Sequence, residues 1–390
     1  MNHRVQSMVC LKCGAQLPVQ DYFYGCPHCL QRGENASVTF QYSGKAEKKP
    51  GLGITKYGQY LPYEDFPSLG EGDTPVIPLP RLADQLGLGA LYSKNEFQNP
   101  TGSHKDRMNP MIIARALEQG CRVVAAASSG NEGVSLAAYA AAAGLECCII
   151  STKRINPIWK AAILAAGARL VITETADERW TFLKSKVERE GWYPATNFIS
   201  PPVGSNCFGL QGYKTIAYEL FETFGPEKLP GYILVTVSRG DLLYGIYEGF
   251  EDLKAQGKIQ TLPKLVAVEP LPRIEKVLEG ADYRTSFPGE YHLTESIGGG
   301  TVTYQSLAAV QNSGGFAVSL PQSEVLDDVL ELAGHGLYLE TSSALAIGGL
   351  KKAVAQGLIP KGASALLVST SGGTKNDPDL YNAIIARCQR

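Results

Sequence analysis

The feature that most restricts the fold is a regular alternation of short apolar strands and amphipathic helices from about residue 107 onward. Strands are predicted in CRVVAAA, LECCIIS, ARLVITE, GYILVTV, PKLVAVEP and ASALLVSTS, and helices fill the stretches between them, beginning with 107–119. Strands that alternate with helices at this spacing form βαβ units, in which parallel strands lie side by side under helices on both faces. The sequence therefore predicts an α/β fold built on parallel sheets.

The composition excludes several classes of function. Hydrophobic residues make up 44% of the 390 residues, charged residues 19%, and the formal net charge is −2. This balance is that of an ordinary soluble protein and gives no general attraction to nucleic acid or to an anionic membrane. No window reaches the roughly 18 apolar residues of a spanning helix, and MNHRVQSMVC lacks the apolar core of a signal peptide. We therefore expect a cytoplasmic protein that binds neither nucleic acid nor membrane.

Two C-x-x-C pairs lie near the N-terminus, Cys10 with Cys13 and Cys26 with Cys29. Two such pairs can supply four thiolates to one tetrahedral zinc ion, so the spacing predicts a structural zinc ribbon. Four free thiols or a redox pair are the alternatives, and His28 is expected to be a bystander. Ribbons also occur in nucleic-acid-binding proteins, but the near-neutral charge argues against that role here.

The stretch NPTGSHKDR, residues 99–107, carries a lysine in an unusual local context. Gly102 favours a turn, and the S-x-x-D spacing of Ser103 and Asp106 predicts a capping box that opens a helix. Lys105 would then lie in the first helical turn, where the helix dipole disfavours an ammonium ion. A lysine held near neutrality suits imine chemistry with a carbonyl cofactor, whereas an exposed lysine on a capped helix is the alternative.

Three further loops follow predicted strands and open helices or turns, at 128–133, 238–243 and 369–375. Ligands in such folds lie at the carboxyl ends of the strands and over helix N-termini. The first loop suits a carboxylate, and its Asn131 offers an amide to a phenolic oxygen. The second suits a phosphate, although Asp241 could simply cap the helix, and the third offers hydroxyls to a pyridine nitrogen or is an ordinary glycine turn.

Five segments taken in order, NPTGSHKDR, SSGNEG, GYKTIAYEL, ETSSA and STSGGTK, resemble the fold-type II pyridoxal-phosphate enzymes, and among them the threonine synthase family most closely. The resemblance covers about residues 70–380. It implies a lyase with an N-terminal zinc ribbon in 1–35, a large cofactor-binding αβα domain in 36–100 and 201–390, and a small αβα domain in 101–200. It also implies an amino-acid substrate and a homodimer.

The same resemblance assigns roles around the reactive lysine. Lys105 is expected to bind the cofactor aldehyde and to move protons at Cα and beyond. Asn131 would face the 3-oxygen of the cofactor, and Ser128 and Ser129 would help to bind the substrate carboxylate.

The resemblance also assigns the phosphate and the pyridine nitrogen of the cofactor. Thr370 is expected to face the nitrogen, with Ser371 as the alternative. A neutral hydroxyl at that position favours elimination and replacement chemistry. The residues expected around the phosphate are Ser238, Gly240, Asp241, Leu242 and Leu243.

The sequence departs from the family where the substrate should bind. His104 replaces the usual phenylalanine, and Glu132 replaces a threonine whose hydroxyl helps to bind the substrate carboxylate. A second carboxylate within about 4 Å would repel that of the substrate by several kcal/mol in a dry site. Glu132 therefore turns away, is paired or protonated, or receives a cationic group of the substrate.

A second departure concerns the phosphate of O-phosphohomoserine. In the segment NCFGLQG, Gly209 replaces the arginine that helps to bind this phosphate in the family, while Asn206 remains as a candidate substrate-binding residue. Loss of a charge-assisted contact removes roughly 1.5–3 kcal/mol. Lys153, Arg154 and Arg239 are the candidates to compensate.

These observations predict a pyridoxal-phosphate-dependent lyase that converts O-phospho-L-homoserine and water into L-threonine and phosphate. Its alternative is a β-elimination or β-replacement enzyme for another amino acid, whose choice of substrate is altered by Glu132, His104 and Gly209. A non-enzyme that binds the cofactor without turnover is the remaining possibility.

Overall fold

Thirteen strands form three separate sheets in the computed structural model, which describes residues 1–389. The strands are β1 Val5–Cys10, β2 Gln16–Leu17, β3 Val38–Tyr42, β4 Val76–Pro78, β5 Ala90–Lys94, β6 Val123–Ala127, β7 Glu146–Thr152, β8 Arg169–Thr173, β9 Tyr193–Pro194, β10 Tyr232–Thr236, β11 Lys264–Glu269, β12 Phe316–Ser319 and β13 Ser364–Val368. Every strand predicted above is present, so the predicted α/β class is confirmed.

The largest sheet has the order β12-β11-β10-β13-β5-β4, with all neighbours parallel except the edge strand β4. The second sheet is wholly parallel, in the order β8-β7-β6-β9. The third is antiparallel, in the order β2-β1-β3, and belongs to the cysteine-rich N-terminus. Its strand β3 lies beyond residue 35, the boundary predicted for the ribbon, and the division into domains stays a prediction.

Fourteen α-helices and seven short 3-10 helices connect the strands. The α-helices are α1 Pro27–Leu30, α2 Pro80–Leu86, α3 Asn109–Glu118, α4 Asn131–Ala142, α5 Pro157–Ala165, α6 Ala176–Glu190, α7 Cys207–Leu210, α8 Lys214–Phe224, α9 Asp241–Ala255, α10 Arg273–Leu278, α11 Tyr304–Asn312, α12 Val325–Gly334, α13 Thr341–Ala355 and α14 Pro378–Cys388. The 3-10 helices are Gly53–Tyr60, Glu96–Gln98, His104–Arg107, Gln211–Tyr213, His292–Ile297, Gln322–Glu324 and Gly373–Lys375. None of the helices within residues 1–389 is long and apolar enough to cross a membrane.

The central strand β10 explains why the parallel strands read as continuous apolar runs. Ile233 and Val235 pack in one cluster with Ile246 of α9, whereas Leu234 packs in another cluster with Ile347 of α13. Side chains alternate between the two faces of a strand, so a sheet covered on both sides requires apolar residues at every position. This arrangement leaves only the strand ends for polar chemistry.

The predicted capping box before Lys105 is wrong. Ser103 precedes the 3-10 helix His104–Arg107 and caps nothing, and its buried hydroxyl has no hydrogen-bond partner. Asp106 instead accepts hydrogen bonds from the backbone N–H and the hydroxyl of Thr101, at 2.7 Å and 2.6 Å, and from the hydroxyl of Ser135. The α-helix itself begins later, with α3.

A buried ion network fixes the segment that carries Lys105. The fully buried guanidinium of Arg107 donates to both carboxylate oxygens of Glu96, at 2.6 Å and 2.7 Å, and to both of Glu219, at 2.7 Å and 2.8 Å. Lys94 completes the network by donating to Glu219 at 2.5 Å. Because bidentate pairs fix orientation as well as distance, Arg107 anchors this segment at once to the 3-10 helix that follows β5 and to α8.

Candidate active site

The segment before Lys105 and the loop after β13 are joined through their backbones. Ser103 and Ser371 form an antiparallel bridge, and the N–H of His104 donates to the carbonyl of Thr370 at 2.9 Å. Both segments follow neighbouring parallel strands, β5 and β13, whose carboxyl ends meet at one edge of the sheet. The first and fourth of the loops selected from the sequence therefore lie side by side.

Asn131 brings the second loop to the same place. Its side-chain oxygen accepts from Lys375 at 2.8 Å and from Ser371 at 3.3 Å, while its side-chain nitrogen donates to Glu340 at 2.8 Å. Asn131 begins α4, which follows a strand of the other parallel sheet. Its amide thus forms a polar bridge between residues that follow the two parallel sheets.

Lys105 lies beside this bridge with 22% of its side chain exposed. Its Nζ atom is 3.8 Å from a carboxylate oxygen of Glu132 and 3.8 Å from the sulfur of Met108. The same atom lies 5.9 Å from the centre of the Tyr213 ring. The amine makes only long contacts, so it remains accessible to a carbonyl group.

His104, the neighbour of Lys105, is held as a neutral ring. Its ring centre lies 5.6 Å from that of Tyr213, and Nδ1 lies 3.4 Å from the carbonyl of Thr370. Burial, and then the charge of Lys105, lower the pKa of His104 well below its ordinary value. An aromatic but polar ring therefore occupies the position where the family resemblance leads one to expect phenylalanine.

Glu132 is a buried carboxylate without a hydrogen bond. Its side chain is 8% exposed, and neither carboxylate oxygen has a hydrogen-bond partner within residues 1–389. Burial raises the pKa of Glu132 to about 7, and the charge of Lys105 opposes that rise. Of the alternatives raised from the sequence, a carboxyl that turns away from the site is contradicted by its distance of 3.8 Å from the Lys105 amine.

The third loop presents the N-terminus of α9. Gly240 has a φ of +76°, and a Cβ atom there would lie 2.5 Å from the Cβ of Ser306, so only glycine fits. The carboxylate of Asp241 is turned to the N–H and hydroxyl of Ser205, at 2.8 Å and 2.9 Å, and to the amide of Gln305 at 2.9 Å. The first N–H groups of α9 are thereby left for an anion.

The serines in these loops have identifiable partners. The hydroxyl of Ser128 accepts from the backbone N–H groups of Gly130 and Gly133, which fixes the start of α4. The hydroxyl of Ser129 accepts from Arg179 at 2.9 Å. Ser238 contacts the backbone of residue 298 at 3.4 Å, and Leu242 and Leu243 are buried in the core.

The two hydroxyls considered for the pyridine nitrogen have different environments. Ser371 donates to the carbonyl of Gly102 at 3.4 Å and to Asn131 at 3.3 Å. Thr370 is held by its backbone, between the hydroxyl of Ser343 and the N–H of His104. These contacts favour Thr370 as the partner of a ring nitrogen, because Ser371 already has acceptors of its own.

Side chains pack closely against Gly209, the position where the family resemblance leads one to expect an arginine. A Cβ atom at Gly209 would lie 2.8 Å from two side-chain carbons of Ile112 and 3.2 Å from the methyl of Met108. Asn206 caps α7 by accepting from the N–H groups of residues 208 and 209, and its nitrogen donates to the carbonyl of Pro194 at 3.0 Å. A longer side chain at position 209 therefore requires Ile112 and Met108 to shift.

Several polar residues of the site were not singled out from the sequence. Glu340 was noted only within the segment ETSSA, and Lys375 only within the final loop. Arg179 gave no signal at all, because it lies on the amphipathic helix α6, where arginines are ordinary surface residues. Proximity to Asn131 or to Ser129 identifies them, and only the structure shows it.

The N-terminal cysteines fit a zinc ion. The Sγ atoms of Cys10, Cys13, Cys26 and Cys29 all lie within 4.8 Å of one another. The Sγ atoms of Cys10 and Cys29 are 3.6 Å apart, and those of Cys13 and Cys26 are 3.8 Å apart. A zinc–sulfur distance of about 2.3 Å places the sulfurs of a tetrahedral site about 3.8 Å apart.

The four loops together fit a phosphorylated aldehyde cofactor. An accessible amine, a glycine-bounded helix N-terminus and hydroxyls beside Thr370 are the three features that such a group requires. Asn131 contacts Ser371 of the final loop, and its amide could bind a phenolic oxygen of the ring. The roles of the individual residues stay predictions.

Comparison with known proteins gives the same picture. The sequence profile described as "Pyridoxal-phosphate dependent enzyme" matches residues 67–371. The threonine synthase of Methanocaldococcus jannaschii is 30% identical, over 95% of this chain and 93% of the relative. The threonine synthase of Methanosarcina acetivorans is also 30% identical, over 95% and 92%.

Solved structures share the fold at lower identity. Diaminopropionate ammonia lyase from Escherichia coli, in complex with D-serine, has a TM-score of 0.69 at 17% identity, covering 88% of this chain and 95% of that one. The processed form of threonine deaminase isoform 2 from Solanum lycopersicum has a TM-score of 0.67 at 20% identity, covering 80% and 87%.

Replacement of Glu132 by Gln should stabilise the cofactor-free protein in a pH-dependent way. The raised pKa of Glu132 means that the unfolded chain ionises first as the pH rises from about 4.5 to 7, so the wild type loses stability across that range. Glu132→Gln removes this loss. The free energy of unfolding of the variant, relative to that of the wild type, should therefore be about 3 kcal/mol higher at pH 8 than at pH 4. Urea unfolding at the two pH values measures the difference, and an equal difference at both would contradict the assignment.

Proposed function

Because this chain belongs to the pyridoxal-phosphate-dependent enzymes, and among them to the threonine synthase family, we propose that it converts O-phospho-L-homoserine and water into L-threonine and phosphate. The observation that carries the proposal is the amine of Lys105, accessible and unpaired by any short contact, where three loops from two sheets meet. Two curated relatives that match over most of their length support the choice of substrate.

Pyridoxal phosphate, when bound, withdraws electrons from the substrate and makes its Cα proton acidic. Lys105 would bind the aldehyde of the cofactor, and its freed amine would then move protons at Cα and Cβ of the substrate. The N-terminus of α9 from Gly240 onward would bind the phosphate of the cofactor. Thr370 would face the ring nitrogen and Asn131 the 3-oxygen, with Lys375 and Glu340 orienting the amide of Asn131.

The substrate carboxylate would be bound by the loop that opens α4. Ser128 fixes the turn, and Ser129 and the free N–H groups of the helix N-terminus face the anion. Protonated Glu132 could share a hydrogen bond with that carboxylate, whereas ionised Glu132 would repel it. Binding of the substrate should therefore favour the protonated form of Glu132, whose raised pKa makes that form accessible at neutral pH.

A second candidate is β-elimination or β-replacement on another amino acid. The glycine at position 209 favours it, because the arginine that the family resemblance implies for the substrate phosphate is absent from that position. The carboxyl of Glu132, without a hydrogen bond of its own, would suit an amino group on the side chain of such a substrate. Product analysis distinguishes the two candidates, since only the first releases phosphate together with threonine.

The remaining proposals concern the whole protein. Zinc bound by the four N-terminal cysteines would have a structural role, because no open ligand position remains beside four thiolates. A homodimer is proposed by analogy with the family alone. The cytoplasmic location expected from the composition stays a prediction.

Replacement of Lys105 by Ala should abolish both colour and turnover. The wild type, loaded with pyridoxal phosphate, should absorb visible light and release phosphate and threonine from O-phosphohomoserine at equal rates. Lys105→Ala should show neither property, while the matched control Lys361→Ala changes an exposed lysine and should keep both. No phosphate release by the wild type at saturating substrate would contradict the proposed reaction, and a colourless wild type would contradict cofactor binding at Lys105.

Removal of two cysteines should remove the metal. The purified protein should contain about one zinc per chain, because four thiolates complete one tetrahedral site. Replacement of Cys10 and Cys13 by Ser should reduce this to near zero and lower the melting temperature, whereas Cys388→Ser, at an exposed cysteine, should leave both unchanged. Elemental analysis measures the content, and equal zinc in the double variant and in the control would show that the metal binds elsewhere.

A further inference from the structure

Two arginines near the substrate loop carry buried nitrogens without partners. The Nε atoms of Arg179 and Arg239 are buried, and neither has a hydrogen-bond partner within residues 1–389. Arg179 makes one hydrogen bond, to the hydroxyl of Ser129, and neither guanidinium lies within 4.0 Å of a described carboxylate. A buried N–H donor without an acceptor has lost its hydrogen bonds to water, so each of these Nε atoms offers a free donor to a bound group.

The fully buried arginines of the chain show what a satisfied guanidinium looks like here. Arg107 binds two carboxylates through four hydrogen bonds. Arg273 pairs with Glu269 and donates to two backbone carbonyls. Arg115 pairs with Asp21 and with Glu118. Arg179 and Arg239 lack such partners.

The two arginines approach each other from different parts of the fold. Arg179 lies on α6, which covers the four-stranded sheet, whereas Arg239 lies in the loop between β10 and α9 of the six-stranded sheet. The guanidinium carbon of Arg239 lies 5.3 Å from the centre of the Trp180 ring, and Trp180 directly follows Arg179. The side chain of Arg239 thus reaches across to the helix that carries Arg179.

The charges around the pair agree with a bound anion. Burial lowers the pKa of Arg239, and the charge of Arg179 lowers it further, although the charge of Asp241 opposes both effects. Burial also lowers the pKa of Arg179, against the charges of Tyr291 and Glu295. The carboxylate of Asp241 is already bound by Ser205 and Gln305, so it is not available to pair with Arg239.

The position of the pair beside Ser129 indicates which anion it binds. Ser129 belongs to the loop proposed for the substrate carboxylate, so an anion held by Arg179 would lie next to the substrate. A guanidinium presents a planar fork of donors that matches the oxygens of a phosphoryl group. Ile112 and Met108 pack closely against Gly209, where the family resemblance leads one to expect an arginine.

We infer that Arg179 and Arg239 bind the phosphoryl group on the side chain of the substrate and replace the arginine that is absent at Gly209. The inference rests on the proposed function, because it takes the acidic side-chain group to be a phosphoryl group. It assigns specificity to two positions separated by 60 residues in the chain and brought together only by the fold. The phosphate of the cofactor is the other phosphoryl group within reach, and the experiment must separate the two.

The test uses the cofactor-loaded protein with Arg179→Gln and Arg239→Gln, and with Arg189→Gln as the matched control. Arg189 lies on the exposed face of the same helix, α6. Each Gln variant at the site should raise the KM for O-phosphohomoserine by about 10- to 100-fold, since each removes a charge-assisted contact. Arg179→Lys and Arg239→Lys keep the charge without the fork and should show a smaller rise, which separates lost recognition from lost folding.

Two binding measurements complete the test. Calorimetry with inorganic phosphate should show binding to the wild type and to Arg189→Gln, weakened at least 10-fold in the two Gln variants. Titration with pyridoxal phosphate, followed by visible absorbance, should give equal affinities for all proteins. A loss of affinity for pyridoxal phosphate, but not for pyridoxal without its phosphate, would assign the arginines to the cofactor and overturn the inference.

The outcomes also separate this inference from the proposed reaction. An unchanged KM and unchanged phosphate affinity in both Gln variants would overturn the inference while leaving threonine formation by the wild type intact. Absence of threonine formation by the wild type, with phosphate binding that both Gln variants lose, would overturn the proposed reaction and support an oxyanion site at these two arginines.

Discussion

The position of Lys105 depends on the buried ion network around Arg107. One guanidinium binds the carboxylates of Glu96 and Glu219 at the same time, and it lies only two residues after Lys105. With Lys94, the network buries four charges, which is costly, and the interactions repay that cost only when every donor and acceptor is satisfied. Removal of one partner would leave an unpaired charge in the interior, so the network resists the small shifts that would misplace the Lys105 amine.

Close backbone contact adds a second constraint on the same segment. A Cβ atom at Gly212 would lie 1.8 Å from the carbonyl oxygen of Arg107. Only glycine at this position therefore allows the 3-10 helix Gln211–Tyr213 to lie so close to Arg107. Tyr213, the next residue, then faces the ring of His104 and the amine of Lys105. Residues with a structural role thus contact the proposed site residues directly and give a flexible lysine a defined environment.

Satisfied and unsatisfied charges divide the molecule into scaffold and candidate site. The scaffold charges, such as Arg107 and Arg273, have full sets of partners. Within residues 1–389 the carboxylate oxygens of Glu132 and the Nε atoms of Arg179 and Arg239 have no hydrogen bond, and these residues lie in or beside the loops proposed for the substrate and the cofactor. One carboxyl and two guanidinium groups without hydrogen-bonded counter-ions suit a substrate that carries both a positive and a negative group, as a phosphorylated amino acid does.

The sequence predicted the sheet and the loops because both depend on local patterns. Strand β10 reads as an apolar run because both of its faces are covered, and the loops follow directly after such runs. The S-x-x-D pattern predicted a capping box that does not form, because Asp106 accepts hydrogen bonds from Thr101 and Ser135 instead. Ser135 is distant in the chain, so the local pattern could not indicate that contact. The contact of Asn131 with Glu340 spans 209 residues, so no local pattern could reveal it.

We propose that Lys105, and not the nearby Lys375, binds the aldehyde of the cofactor. Lys375 is a real competitor, because burial lowers its pKa and it lies within hydrogen-bonding distance of Asn131. Reduction of the cofactor-loaded protein with borohydride, followed by peptide mass spectrometry, locates the attachment directly. We expect a pyridoxyl label on the peptide that contains Lys105 and none on Lys375. A label on Lys375 alone would contradict the assignment of Lys105.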